Sequence, residues 1–263
     1  MENLSYWQKQ DKKLLFSDLS WNIPEQKTGT ISVVGGNSQN FASAVRSSEY
    51  LSQNFPLKEV TTILPDALKS KLPPLSNFIF TPSTESGSFA KSPDLASAQE
   101  SSGLSLIIGD LSKNSETAIA ISNLIAKTTI PTIITRDAVD LISPEASNLL
   151  ERPELIFVAS MVQLQKLFRA AYYPKVLLLS MPLLPVIETL HKFTISYPAT
   201  ILTFHEGQII VASGGRVITT PVERTNYSPI SLWSGTLASN IAIMNLYNPN
   251  KPLEATVSAI TLQ

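Results

Sequence analysis

Short, unbroken apolar runs alternate with stretches whose apolar positions recur every three or four residues along most of this chain. The runs "TISVVGG", "EVTTIL", "NFIF", "LSLIIGD", "PTIIT" and "LIFVAS" predict strands, several of them buried on both faces. Between them, "SQNFASAVRSSEYLSQNF" places Phe41, Val45, Tyr50 and Leu51 at roughly helical spacing. Helices are also predicted from Ser115 to Lys127 with Ser115 as N-cap, from near Ala138, and over "MVQLQKLFRAA". Repeated strand–helix alternation with short links predicts βαβ units and a parallel sheet covered on both faces. The last third changes character. "ATILTF" reads as a strand, "GQIIVASGGRVITTPV" as a hairpin turning at Gly214-Gly215, and two helices follow, from about Ser234 to Tyr247 and from about Pro252 onward. The fold class is therefore α/β, a mostly parallel central sheet flanked by helices on both faces, with a C-terminal antiparallel hairpin. Residues 1–28 are expected to form an N-terminal arm and residues 29–263 one domain. "TPSTESGSFAKSPD" reads as a Ser/Pro/Gly-rich loop. "VLLLSMPLLPVI" is too short to span a bilayer and is broken by prolines, so it is expected in the core.

Composition narrows the partners. The chain of 263 residues is 43% apolar and only 16% charged, which supports a large core and argues against disorder. A net charge of −1 gives no basic field for nucleic acid. There is no cysteine, which excludes disulfides and thiolate metal sites. "MENLSYWQKQDKKLLF" lacks the apolar core of a secretory signal. A cytoplasmic protein is expected, with no membrane partner. An apolar chain with few charges to cover its surface is expected to form a homo-oligomer.

The candidate chemistry lies at predicted strand ends and helix starts. "SPISLWSGTLASNIAIMNLY" turns from loop to helix at Ser234, Gly235 and Thr236, and helix starts offer free amides to anions. The segment carries no carboxylate, and Trp233 narrows the approach. It reads either as an N-cap and loop or as a residual anion site. Gly36, Asn37 and Ser38 follow a strand in "VVGGNSQN", which is a tight strand-to-helix turn rather than a full Gly-x-Gly-x-x-Gly. Asp110 follows Gly109 at another strand end and is a turn residue, an N-cap, a Mg²⁺ ligand or a relocated base. Asp137 and Asp140 support a helix start. His205-Glu206 follows a strand at the ligand edge of the sheet or makes a hairpin turn, and His191 sits on the polar face of a helix. These two histidines do not make a metal site.

The order of elements, with "KTGTISVVGGNSQNFASA" at the opening, "IPTIITRDAVDLI" in the middle and "SGTLASNIAIMNLYNPNKPLEATVSAI" at the close, resembles the ADP- or ATP-dependent NAD(P)H-hydrate dehydratases. The resemblance runs from about Lys27 onward. It implies a ribokinase-like fold, repair of damaged NADH and NADPH, ADP or ATP with Mg²⁺ as cofactors, and an NAD(P)H-type ligand. It also implies an anion or nucleotide site at Ser234, Gly235 and Thr236 with Thr203 and His205, and a substrate pocket at Gly36, Asn37, Ser38, Gly109, Asp110 and Asp137. The catalytic motifs depart from the family. Thr236 stands where the family has its catalytic Asp, and Trp233 where it has a glycine. Ser160 and Gln163 replace a His and a Glu, and Thr203 replaces a Lys. Asp110 replaces a Pro, and Asp137 alone survives from an Asp-Ala-Asp strand end. General-base help is worth about 10²–10⁴-fold, or roughly 3–5 kcal/mol. The expectation is a diverged, catalytically impaired relative. The alternatives are a non-catalytic nucleotide-binding or assembly protein and a small-molecule kinase with a relocated base.

Overall fold

The computed structural model describes residues 4–225, 227 and 234–262, apart from the side chain of Arg224. Trp233, read above as narrowing the start of a helix, lies outside the described residues. The strands are β1 (Trp7–Lys9), β2 (Thr28–Gly35), β3 (Leu57–Pro65), β4 (Phe78–Thr81), β5 (Leu104–Gly109), β6 (Thr132–Thr135), β7 (Leu155–Val158), β8 (Thr200–His205), β9 (Gln208–Ser213) and β10 (Arg216–Pro221). The helices are α1 (Ala42–Asn54), α2 (Pro93–Ser97), α3 (Ser115–Lys127), α4 (Asp137–Ile142), α5 (Ala146–Leu149), α6 (Met161–Ala170), α7 (Leu183–Ser196), α8 (Thr236–Tyr247) and α9 (Pro252–Ala259).

All ten strands form one sheet in the order β1-β10-β9-β8-β7-β6-β5-β2-β3-β4. Pairing is parallel from β4 through β8, antiparallel across β8, β9 and β10, and parallel again between β10 and β1. Alternation along β5 shows the layers. Leu104, Leu106 and Ile108 belong to the core on the side of α1, α8 and α9, while Ile107 belongs to the core on the side of α3, α4, α6 and α7. Because both faces are covered, the strands are apolar almost throughout. The chain leaves β2 outward to β3 and β4, then returns to β5 on the other side of β2. That reversal is the point at which α/β sheets open a crevice at their strand ends.

Some local expectations are corrected. The N-cap of α3 is Asn114, whose side chain accepts from the Thr117 amide at 2.7 Å, and Ser115 is the first helical residue. The run from Val176 to Ile187 is not uniformly core. Leu177, Val186 and Ile187 are buried, but Val176, Leu178, Leu179 and Leu184 are 68%, 52%, 58% and 42% exposed. This run links α6 to α7 along the outside of the helical layer, so its apolar composition does not imply burial. Within residues 1–28, β1 adds an edge strand beside β10, and Tyr6 stacks on His191 at 3.9 Å. No helix among the described residues is long and apolar enough to cross a membrane.

The α6–α7 layer is held by an aromatic cluster. Phe168 and Phe193 stack at 3.9 Å, and Tyr173 and Tyr197 lie 5.0 and 4.8 Å from Phe193. Phe193 is fully buried. Phe193→Ala is expected to cost about 3–5 kcal/mol, through lost transfer energy plus the cavity left behind. Equilibrium denaturation should show this as a lower midpoint with an unchanged slope.

Candidate functional site

The β2–β5 reversal sets two glycines side by side. Gly36 (φ 101°) donates its amide to the carbonyl of Gly109 (φ 96°) at 3.0 Å. Both positive φ values favour glycine, and a Cβ on Gly109 would run into the Asp137 carboxylate. The chain continues through Asp110, also left-handed at φ 59°. This turn aims two successive amides, those of Asp110 and Leu111, at the start of α4. Asp137 accepts both at 2.8 Å. Burial pushes the Asp137 carboxyl above its ordinary value; the two amides oppose this, and the neighbouring Asp110 charge adds to it.

Asp110 is the hub. Its side chain is 4% exposed and ion-paired to Arg136 at 2.6 Å. The same carboxylate accepts from the Ser43 amide at 3.2 Å, in the first turn of α1, where the N-cap Phe41 supplies no side-chain cap. Its carbonyl accepts from Asn37 Nδ2 at 2.7 Å. Asp110 is thus a turn residue that caps a helix from another segment. A carboxylate so engaged does not fit a role as a Mg²⁺ ligand. Among the described residues, no group of three or more His, Asp or Glu side chains converges to hold a metal.

Arg136 has φ 57° and ψ −140°, a conformation that costs a non-glycine residue about 1–3 kcal/mol. Gln163 holds it there. Its Nε2 donates to the Arg136 carbonyl at 2.6 Å and to Asp140 at 2.8 Å. Gln163 is itself fixed by a capping box with Ser160 at the start of α6. Lys166, one turn on, pairs with Asp140. Together these groups line an open cleft of about 670 Å³ with Asn37, Asn40, Leu111 and Val162. That volume is in the range of small-molecule sites.

A second feature lies on the opposite face. α8 begins at Gly235 (φ 101°), which has no side-chain cap. A Cβ there would sit 2.6 Å from Ser47 Oγ and 3.2 Å from Ile108 Cδ1, so only glycine lets α8 approach α1 and β5 this closely. Ser234 is exposed, Thr236 is partly buried, and their hydroxyls are 3.5 Å apart. One turn in, Asn240 accepts from Tyr50 at 2.9 Å and donates to Tyr227 at 2.7 Å. Burial pushes the Tyr227 hydroxyl up to about 12.

No protein-family model and no curated protein sequence matches the chain. Solved structures do. A ribokinase-like superfamily protein of Enterococcus faecalis V583 aligns over 99% of this chain and 87% of its own, with 15% identity and a TM-score of 0.65. YxkO of Bacillus subtilis, a member of the UPF0031 family, aligns over 93% and 84%, with 16% identity and a TM-score of 0.61. The pyridoxal kinase of Bacillus subtilis, solved as an ADP complex, aligns over 88% and 89%, with 11% identity and a TM-score of 0.50. The fold is ribokinase-like.

On this ribokinase-like sheet the expected site residues separate into groups. Gly36, Asn37, Gly109, Asp110 and Asp137 come together around the β2 and β5 ends. Ser38 is drawn off beneath the Ser-rich loop, its amide donating to Gly87 at 2.8 Å. Ser234, Gly235 and Thr236 form the α8 start. Thr203 and His205 do not join them. Leu202 packs on the α8 side, so alternation turns Thr203 and His205 toward the α7 layer. Thr203 is buried there with no hydroxyl partner among the described residues, and His205 Nε2 meets the Met181 carbonyl at 2.7 Å. Glu206 accepts from the Leu183 amide at 2.9 Å, so the His-Glu pair fastens the start of α7. Arg136, Asn40 and Lys166 were not read as site residues. The one local signal was the Ser160-x-x-Gln163 capping box.

Gly109→Ala is expected to lose about 2–3 kcal/mol, because it combines a positive φ with a collision at Asp137. Asp137→Asn keeps the shape but turns an NH₂ toward one of two amide donors, and should cost about 1–3 kcal/mol at neutral pH. The raised Asp137 pKa fixes the sign of the pH dependence. The folded state holds that proton more tightly than the unfolded chain, so stability from this group falls as pH rises from the ordinary aspartate range through the raised value. The gap between wild type and Asp137→Asn in urea melts should therefore widen on acidification through that window.

Proposed function

We propose that this chain is a ribokinase-like binding protein, a diverged counterpart of the NAD(P)H-hydrate dehydratases that holds a nucleotide-type anion without transferring its phosphate. The observation that carries this reading is the commitment of the strand-end carboxylates. Asp110 is taken by Arg136 and the α1 amide, and Asp137 by two backbone amides. At the α8 start the side chain is Thr236, and a threonine hydroxyl does not ionise near neutral pH. A general base must be free to receive a proton, and its absence costs about 10²–10⁴ in rate. The anion-binding part of such a site is separable from the base. α8 starts behind a glycine, which supplies no side-chain cap to the first-turn amides. The ADP held by the pyridoxal kinase neighbour supports ADP or ATP as the ligand class, and an NAD(P)H-type molecule is kept beside them.

The test has two arms. Purified protein with NADH hydrate and ADP or ATP should show no turnover above a heat-killed control; nucleotide-dependent turnover would overturn the reading. Nucleotide should nevertheless stabilise the fold. A Kd of about 1 mM gives roughly 1.4 kcal/mol at about 10 mM ligand, a melting shift of a few degrees. A side chain at Gly235 would meet Ser47, so charge is better introduced next door. Thr236→Asp suits a helix start and restores the residue that the resemblance places there, and alone it should not create activity.

One observation favours a second reading, a small-molecule kinase with a relocated base. Asp137 lines the cleft with its pKa raised, the direction that suits a general base. Acceptor-dependent ATP consumption that vanishes in Asp137→Asn would support it over the binding role.

A further inference from the structure

The two ion pairs in the strand-end cleft share an orientation. In the Arg136–Asp110 pair the side chains are 28% and 4% exposed; in the Lys166–Asp140 pair they are 52% and 27% exposed. In both, the cation is the outer partner. Arg136 and Lys166 thus lie nearer solvent than the carboxylates they pair with. The two pairs are joined through Gln163, which bonds the Arg136 carbonyl and the Asp140 carboxylate together. Arg136 is also held at φ 57° and ψ −140°. A buried Asp110 needs a cation, but nothing in that need requires the cation to sit on a strained residue at the cleft wall. The strain brings the guanidinium to the strand end, and Gln163 keeps it there.

We propose that this cleft recognises a small organic oxyanion, a carboxylate or a phosphate monoester, gripped between Arg136 and Lys166. Asn40 and Ser160, which line the same cleft, face the polar body that carries it. Guanidinium and ammonium donors bond such oxygens more strongly than neutral donors do. The proposal rests on reading the cleft as a binding site rather than a phosphoryl-transfer site.

Calorimetric titration with succinate and with glycerol phosphate, at matched ionic strength, tests it. Saturable binding of either is expected, and which one binds tells a carboxylate from a phosphate ligand. Lys166→Gln and Arg136→Lys should each weaken that binding by at least roughly tenfold. Lys166 is mostly exposed, so Lys166→Gln should melt within about one degree of wild type, which separates lost binding from lost folding. The nucleotide shift at α8 should be untouched in both variants, and Thr236→Asp should leave oxyanion binding unchanged. Failure of the nucleotide shift alone would count against the α8 site and not against this one. No saturable binding of either anion by the wild-type protein, or binding unchanged in both cleft variants, would overturn the proposal.

Discussion

The carboxylate of Asp137, received by the amides of Asp110 and Leu111, fixes the point on which this sheet turns. A parallel sheet covered on both faces leaves few places for polar side chains among its strands, so polar interactions gather at the strand ends. There the backbone amides of a tight turn need acceptors, because a buried unpaired amide costs about 1–3 kcal/mol. Here the protein supplies them itself. Asp137 satisfies the turn after β5, and Asp110 caps α1 from across the crevice. Arg136 then becomes necessary, since a carboxylate as buried as Asp110 is strongly destabilising unless paired. Gln163 and the α6 capping box become necessary to hold Arg136 in its strained conformation. Each step follows from the one before, and the cleft is the outcome.

This chain of dependence explains what could and could not be read beforehand. The central strands were legible because burial on both faces makes them apolar runs, and the β9–β10 hairpin because Gly214-Gly215 marks its turn. Asp110 was suspected from its position alone. Its partner Arg136 was not, because the two meet only through the pairing of β5 with β6, which local sequence does not state. Thr203 is grouped with the α8 start by the resemblance, which sets it where the family has a Lys, whereas strand alternation turns its side chain to the other face. The α6–α7 link misled in another way. Val176 and Leu178 have the composition of a core, but they lie outside the helical layer. α8 shows the reverse case. From Leu237 to Asn245 it is buried all round, so no amphipathic face is there to find, and only the Gly-Thr start marks it.

The placement of charge also bears on which ligands the strand ends accept. Like charges about 6–8 Å apart cost roughly 2–3 kcal/mol at an effective dielectric near 20. An incoming polyphosphate would meet that penalty from Asp137 and Asp140, and Arg136 and Lys166 are already partly neutralised by their partners. A single carboxylate or phosphate monoester brings less negative charge against those carboxylates. The α8 start is a different environment. Its own segment carries no carboxylate, and its field comes from backbone amides. On the proposed reading, a ligand with several phosphates is better tolerated at α8 and one with a single oxyanion in the cleft. The rise in the Asp137 pKa acts in the same sense. It moves this group toward neutrality as an anion approaches, because a nearby negative charge favours the protonated form further. On the proposed reading, oxyanion binding in the cleft would favour proton uptake by Asp137, a carboxylate whose first task is to hold the turn after β5.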